Sequence, residues 1–235
     1  MSGLLRLDHV TAGYGDVQVL HGMSLETRQA EVHCLVGRNG AGKTTTLKAI
    51  MGLLPLSSGE ITLDGQKISD LPAHEVPRLG LGYVPQGRRL FAELTVAENL
   101  EIGLMTRRTG SAAREKVLEL FPKLQERLKQ RSGTLSGGEQ QMLAMARALC
   151  LEPKVLLLDE PMEGLMPSAV ASIRETVTAL CNEGVTSLLV EQRADTVLKV
   201  ANRVSFIENG RIRETVEASA LRKDPSLISR YAGLG

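Results

Sequence analysis

The stretch that most constrains the fold is "GRNGAGKTT", Gly37 to Thr45. It fits the phosphate-loop pattern of glycine, four residues, glycine, lysine, and serine or threonine. An apolar run, "EVHCLV", precedes the loop, and residues 43–51 follow it with a helical pattern. Glycines in such a loop allow backbone N–H groups to surround phosphate oxygens. The stretch therefore predicts a phosphate-binding loop between a strand and a helix of an α/β domain.

Eight positions of this loop are candidate nucleotide ligands. Lys43 would reach the β and γ phosphates, the Thr44 hydroxyl would coordinate Mg2+, and Thr45 would add a phosphate contact. The motif does not distinguish a kinase, a GTPase and a motor ATPase. The eight candidates are Gly37, Asn39, Gly40, Ala41, Gly42, Lys43, Thr44 and Thr45.

A second candidate group is the pair of carboxylates that ends the apolar run "VLLLDE", Val155 to Glu160. Asp159 would hold Mg2+, directly or through water. Glu160 would act as a general base and polarise the attacking water. Acidic residues often end strands, so the pair gains its meaning from the phosphate loop, because a site for a nucleotide with magnesium needs such a carboxylate.

The pattern of the chain changes twice. Strand-like runs occupy the first part, with a hairpin expected at Asp64-Gly65 and a first strand ending at Thr11. Helical periodicity dominates from Gly87 to Leu149, and strand signals then return. We expect one α/β domain over 1–235, with a nucleotide-binding core at 1–86 and 151–235 and an inserted helical subdomain at 87–150.

Composition excludes several classes of protein. The net charge is only +1 among 235 residues, so no strong field favours nucleic acid. No apolar run approaches the roughly 18 to 20 residues that a membrane span needs. The first ten residues do not resemble a signal peptide, and the three cysteines lack metal-binding spacing, which predicts reduced thiols in a cytosolic protein.

The stretch "TLSGGEQQMLAMARALC" predicts a second anion-binding helix far from the first. Ser136 is placed as its N-cap, and Gly137 and Gly138 would let another backbone approach closely. The free N–H groups and the dipole of a helix start favour an anion. A chain with one phosphate loop has no evident use for a second such helix.

The ordered set of phosphate loop, "YVPQ", "LSGGE" and "LLLDEP" resembles the ATPases of ABC transporters. The resemblance implies a mixed core sheet, an N-terminal antiparallel β subdomain and the inserted helical subdomain. It also implies that two ATPase domains pack head to tail, each ATP lying between two domains. Ser136, Gly137 and Gly138 would then contact the γ-phosphate of the nucleotide held by the second domain.

Other positions take their roles from the same resemblance. Gln86 matches the glutamine that links Mg2+ and water to the membrane subunits, and Tyr14 matches the aromatic residue that stacks on adenine. Three positions depart from the family pattern: Glu139 replaces a glutamine, which changes little, Met166 replaces an aspartate, and Gln192 replaces the switch histidine. A glutamine amide can donate a hydrogen bond to the γ-phosphate but cannot carry a proton at neutral pH. Glu160 is therefore the better candidate for the base.

"GYVPQGRRLFAELTVAENL" and the "VEQ" that contains Gln192 resemble one branch, the ATPases of branched-chain amino acid importers. This resemblance implies a second ATPase subunit, two membrane permeases and a solute-binding protein, with this chain on the cytoplasmic face of the membrane. Urea and amides remain alternative solutes, and the second ATPase is a different chain or a second copy. A soluble ABC ATPase and a kinase are alternative functions, although "LSGGE" has no role in a kinase.

Overall fold

The structure, a computed structural model, describes residues 3–107, 110–224 and 228. Within these residues it contains ten strands and eight α-helices. The strands are β1 (Leu5–Tyr14), β2 (Val17–Thr27), β3 (Val32–Val36), β4 (Leu56–Leu63), β5 (Gln66–Lys67), β6 (Leu81–Val84), β7 (Val155–Asp159), β8 (Thr186–Glu191), β9 (Arg203–Glu208) and β10 (Arg211–Glu217). The helices are α1 (Lys43–Ile50), α2 (Val96–Arg107), α3 (Ser111–Leu120), α4 (Pro122–Gln125), α5 (Gly137–Leu149), α6 (Pro167–Asn182), α7 (Ala194–Val200) and α8 (Ala218–Lys223).

The strands form two sheets. The core sheet has the order β10-β9-β3-β8-β7-β6, and its strands are parallel except β10, which runs antiparallel to β9. The second sheet is antiparallel and has the order β2-β1-β4-β5. The predicted mixed core sheet and N-terminal antiparallel sheet are both confirmed. In the core sheet, the phosphate loop follows β3, Asp159 ends β7 with Glu160 directly after it, and Gln192 follows β8.

Turn chemistry explains the hairpins. Asp64 and Gly65 both have positive φ, 51° and 77°, as a two-residue hairpin loop between twisted strands requires. The hairpin predicted there is confirmed, since Thr62 pairs with Lys67. The prediction that β1 ends at Thr11 is wrong: register shifts keep the strand paired with β2 as far as Tyr14.

Each face of the core sheet packs against a different layer. On β7, the side chains of Val155 and Leu157 belong to a hydrophobic cluster shared with α1 and the antiparallel sheet. Leu156 and Leu158 alternate with them and belong to a cluster that also contains residues of α2 to α7. A sheet buried on both faces explains why its strands are continuous apolar runs rather than alternating ones.

The helical region is packed continuously with the sheet rather than separated from it. Leu100 of α2, Leu124 of α4 and Leu143 of α5 share one cluster with core-sheet residues. The subdomain limits at 87–150 therefore stay a prediction, and part of the predicted domain beyond 224 lies outside the described residues. Within the described ranges, no helix combines the length and apolar character needed to cross a membrane.

Candidate nucleotide site

The phosphate loop connects β3 to α1 and bends sharply. Gly40 and Gly42 have φ of 80° and 108°, in the left-handed region that favours glycine. Gly42 is the N-cap of α1, and no side chain caps the helix. The first N–H groups of α1 thus lack a side-chain partner, and these are the groups that bind phosphate at a helix start.

Lys43 is folded back over this loop. Its Nζ donates to the carbonyl oxygens of Gly37, at 2.9 Å, and Arg38, at 3.2 Å, and the residue is only 5% exposed. Burial lowers the pKa of Lys43, against the opposing effect of the Glu160 and Asp159 carboxylates. A polyphosphate in the loop would supply counter-charge to this desolvated ammonium group.

Asp159 is the best candidate for binding a metal ion. Thr44 Oγ1 donates to its Oδ1 over 3.0 Å, whereas Oδ2 is buried and makes no hydrogen bond within the described residues. Burial raises the pKa of Asp159. A desolvated carboxylate with an unused oxygen beside a threonine hydroxyl fits Mg2+, which prefers oxygen ligands and tolerates few protein ligands. The residues present therefore fit the predicted ion.

The Glu160 side chain points toward Lys43, and its backbone is strained. Its φ is 47°, which is uncommon outside glycine, and its N–H donates to the carbonyl oxygen of Val190 over 3.1 Å. Its Oε1 accepts a hydrogen bond from Gln192 Nε2 and lies 3.7 Å from Lys43 Nζ. The structure therefore brings Lys43, Glu160 and Gln192 together, from three separate parts of the chain.

The position of Gln192 depends on Glu191, a residue that the sequence analysis missed. The Glu191 carboxylate accepts the backbone N–H groups of Gln192 and Arg193, at 3.0 and 3.2 Å. The side chain is buried, and burial raises its pKa. The available signal was an acidic residue ending the apolar run "SLLVE", since a buried carboxylate is rare without partners.

Gln86 contacts the turn that follows β7 rather than the carboxylate pair itself. Its Nε2 donates to Glu163 Oε2 over 2.8 Å, and the backbone N–H of Glu163 donates to the carbonyl oxygen of Glu160. The loop that follows β6 is thereby bonded to the turn that follows β7. A contact between Gln86 and Mg2+ stays a prediction.

Tyr14 lies at the end of β1 with a partly exposed ring. Lys48 Nζ, on α1, is 5.3 Å from the ring centroid and 3.4 Å from the hydroxyl. The ring is thus placed beside the helix that follows the phosphate loop. An exposed face there is available for stacking, but the adenine contact stays a prediction.

The signature segment, Ser136 to Gly138, forms the start of α5. The N-cap prediction for Ser136 is confirmed, and Glu139 completes a capping box with it. A Cβ on Gly138 would lie 2.7 Å from the Cβ of Ala169 in α6, so glycine allows the two helices to meet closely.

A cavity of about 270 Å³ opens in front of the signature segment. Met166, at the N-terminal end of α6, lines it and is 75% exposed. No phosphate-loop residue is among the described residues that line this cavity. The predicted site residues thus fall into two groups: one around Lys43, Asp159 and Glu160, and one at the signature segment.

A family model and two relatives match most of the chain. The family model described as "ABC transporter" matches residues 20–163. The chain is 45% identical over 232 residues to the high-affinity branched-chain amino acid transport ATP-binding protein BraG of Pseudomonas aeruginosa, covering 98% of this chain and all of the relative. It is 38% identical over 212 residues to the probable branched-chain amino acid transport ATP-binding protein LivF of Archaeoglobus fulgidus, covering 89% and 90% of the two chains.

Solved structures resemble the whole fold. An ATP-binding cassette of an ABC transporter, in its ADP conformation, superimposes with a TM-score of 0.86 at 26% identity and covers all of both chains. A dimeric ATP-binding cassette in a post-hydrolysis state, bound to ADP and Pi, gives a TM-score of 0.79 at 25% identity, covering 91% and 98%. With the phosphate loop and carboxylates assembled as described, the chain belongs to the ABC transporter family, as an ATP-binding subunit with ATPase activity.

Proposed function

We propose that this chain hydrolyses ATP within an importer that takes up branched-chain amino acids or a related small solute. The full-length likeness to BraG, a high-affinity branched-chain amino acid transport ATP-binding protein, supports the choice of solute class. The assembled residues support the chemistry, because the chain brings a phosphate loop, the Asp159–Glu160 acidic pair and a glutamine together.

The phosphate loop and Asp159 would bind the nucleotide with its metal ion. Lys43 would exchange its loop carbonyl partners for the β and γ phosphate oxygens. Thr44 and Asp159 would hold Mg2+, with Gln86 nearby, and the ion when bound would neutralise charge on the phosphates. Tyr14 would stack on the adenine ring.

Glu160 would be the general base that polarises the attacking water. Gln192 donates to the Glu160 carboxylate and so fixes its orientation, while the buried Glu191 fixes the backbone of Gln192. This assigns Gln192 a role in aligning the base and in donating to the γ-phosphate. It does not require Gln192 to carry a proton.

The signature segment would serve ATP on a second ATPase subunit. Ser136, Gly137 and Gly138 line a cavity that the chain's own phosphate loop does not reach, and a structural neighbour is a dimer bound to ADP and Pi. One chain would therefore contain two half-sites. The second subunit would be a different homologous ATPase or another copy of this chain.

The remaining partners would place the protein at a membrane. Two permeases would bind this chain and hold it at the cytoplasmic face of the membrane, and a solute-binding protein would deliver the solute to the permeases. ATP would close the pair of ATPase subunits, and hydrolysis would reopen it. Urea and amides stay alternative solutes, because permeases and the binding protein select the solute.

Affinity purification of the tagged chain from the membranes of its own cells, with mass spectrometry, tests this proposal. We expect two multi-span permeases and a second ATPase subunit to copurify. Uptake of leucine and of urea into vesicles containing the purified assembly would then choose the solute. A partner set without any membrane protein would leave the ATPase activity standing and contradict transport.

A further inference from the structure

The hydroxyl proton of Ser136 is already in use. Ser136 Oγ lies 2.6 Å from Glu139 Oε2, and the Ser136 N–H donates to the same oxygen over 2.9 Å. The Ser136 hydroxyl bond is the main reason that the pKa of Glu139 is lowered. A carboxylate only accepts hydrogen bonds, so the serine is the donor, and its single proton cannot also reach a phosphate.

The other oxygen of Glu139 is bound by Arg127. Arg127 Nε lies 2.9 Å from Glu139 Oε1. The Glu139 side chain is 15% exposed and that of Arg127 is 43% exposed, so the carboxylate is the better shielded partner. A cation on Oε1 draws negative charge away from Oε2, which weakens the pull of that oxygen on the Ser136 hydroxyl.

The same ion pair settles a conflict of charge at the signature segment. The segment is proposed to approach a γ-phosphate, yet the next residue, Glu139 at the third position of α5, carries a carboxylate. An unpaired carboxylate beside a triphosphate would repel it. Arg127 cancels that charge, and Lys123 lines the same cavity as Ser136 and Glu139.

We propose that the Arg127–Glu139 ion pair controls whether the Ser136 hydroxyl is released to the γ-phosphate of ATP bound by the second ATPase subunit. This inference rests on the proposed function of the signature segment. Arg127 acts as a positioning residue. With the pair formed, as in this structure, the Ser136 hydroxyl still donates to Glu139, but the bond is weak enough for the hydroxyl to turn to an arriving phosphate while the Ser136 N–H stays on Glu139. Without Arg127, the carboxylate retains the hydroxyl and repels the nucleotide.

A purely structural cap makes a different prediction. If Glu139 only caps α5, glutamine would replace it, since both complete a capping box. Removing Arg127 would then change the stability of the helix but not the dependence of turnover on ATP concentration. Measuring the KM for ATP therefore distinguishes the two explanations, whereas measuring stability does not.

The test is the steady-state ATPase activity of the purified assembly carrying Arg127→Gln, Glu139→Gln or both substitutions in this chain. We expect Arg127→Gln to raise the KM for ATP by about tenfold, with a smaller change in kcat, because a charge-assisted contact is lost. Glu139→Gln should restore a KM close to that of the parent in the double variant. Arg127→Lys should retain part of the effect of arginine.

Two controls accompany these variants. Arg131→Gln removes a nearby exposed ion pair, to Glu93 at 3.4 Å, and should leave the KM unchanged. Binding of a fluorescent ADP analogue to the isolated chain, through its own phosphate loop, should be the same in all variants.

Two results would overturn the inference alone: an unchanged KM in Arg127→Gln, or an equal increase whether residue 139 is Glu or Gln. Failure is distinguishable from failure of the proposed function, because an assembly without ATPase activity, or no assembly at all, would overturn both.

Discussion

At the scale of single residues, Glu160 combines a strained backbone with a functional side chain. Its positive φ costs energy, and the hydrogen bond from its N–H to the Val190 carbonyl oxygen of the neighbouring strand β8 holds it in that conformation. We expect Glu160→Gln to bind ATP with parental affinity but to lower kcat by about 10²- to 10⁴-fold, the usual contribution of a general base. ATP titration and a turnover assay check this together, and parental turnover would move the base role to another residue.

Gln192 should contribute less to ATP turnover than Glu160. It donates to the Glu160 carboxylate but does not itself accept the proton from water. We expect Gln192→Ala to lower kcat by about tenfold, the value of one lost hydrogen bond to a charged group. The measurement is the same turnover assay, and a larger loss in Gln192→Ala than in Glu160→Gln would contradict both assignments.

The residues that sequence could predict are those with a contiguous motif or a resemblance. The phosphate loop is predicted from nine contiguous residues, and the strand before it and the helix after it lie where the motif predicts them. Glu191 and Glu163 were not predicted, because their importance comes from partners such as Gln192 and Gln86 whose contacts only the fold creates. No residue spacing in the sequence predicts those contacts.

At the scale of secondary structure elements, the contact between α5 and α6 fixes the signature segment. We expect Gly138→Ala to lower the free energy of unfolding by about 1–3 kcal/mol, the usual cost of overpacking, because its Cβ would lie 2.7 Å from that of Ala169. Urea denaturation measures this change. Turnover should fall as well, since α5 must shift and carries Ser136 with it.

A second substitution tests whether the contact with Ala169 causes the losses expected in Gly138→Ala. Ala169→Gly removes the clashing carbon, so the double variant should recover turnover even though glycine in a helix costs about 1 kcal/mol. Gly137→Ala is the matched control for stability: its Cβ would meet only the end of the Arg88 side chain, at 3.1 Å, which can move. Equal losses of unfolding free energy in Gly137→Ala and Gly138→Ala would show that backbone freedom, not the helix contact, is responsible.

Elements were predictable where local chemistry agrees with the fold. The hairpin at Asp64-Gly65 was predicted from its turn residues. Asn209-Gly210, which also adopts positive φ at both residues, carries the same turn signal for the antiparallel β9–β10 pair, but the sequence analysis did not use it. The extension of β1 to Tyr14 was not predictable, since its irregular register depends on pairing with both β2 and β4. Strand pairing, here mainly with the adjacent β2, overrides a turn-like composition.

At the scale of the whole molecule, a buried polar group lies between β3 and β9 of the core sheet. His33 is fully buried, with Nε2 2.8 Å from Ser205 Oγ and Nδ1 3.4 Å from Glu31 Oε1. Burial lowers the pKa of His33, against the opposing effect of the Glu31 carboxylate. The folded chain therefore favours the neutral imidazole, which ties the stability of the sheet to pH.

The sign of the pH dependence follows from this. An unfolded histidine titrates near pH 6.5, so below that value the unfolded chain binds a proton that the folded chain resists. We expect the contribution of His33 to the free energy of unfolding to fall with decreasing pH, by up to about 1.4 kcal/mol per pH unit. In His33→Gln that part of the slope should disappear, whereas His74→Gln, at an exposed position, should keep the parental slope. Urea denaturation at about pH 7.5 and about pH 5.5 measures all three proteins, and an unchanged slope in His33→Gln would show that other groups set the pH dependence.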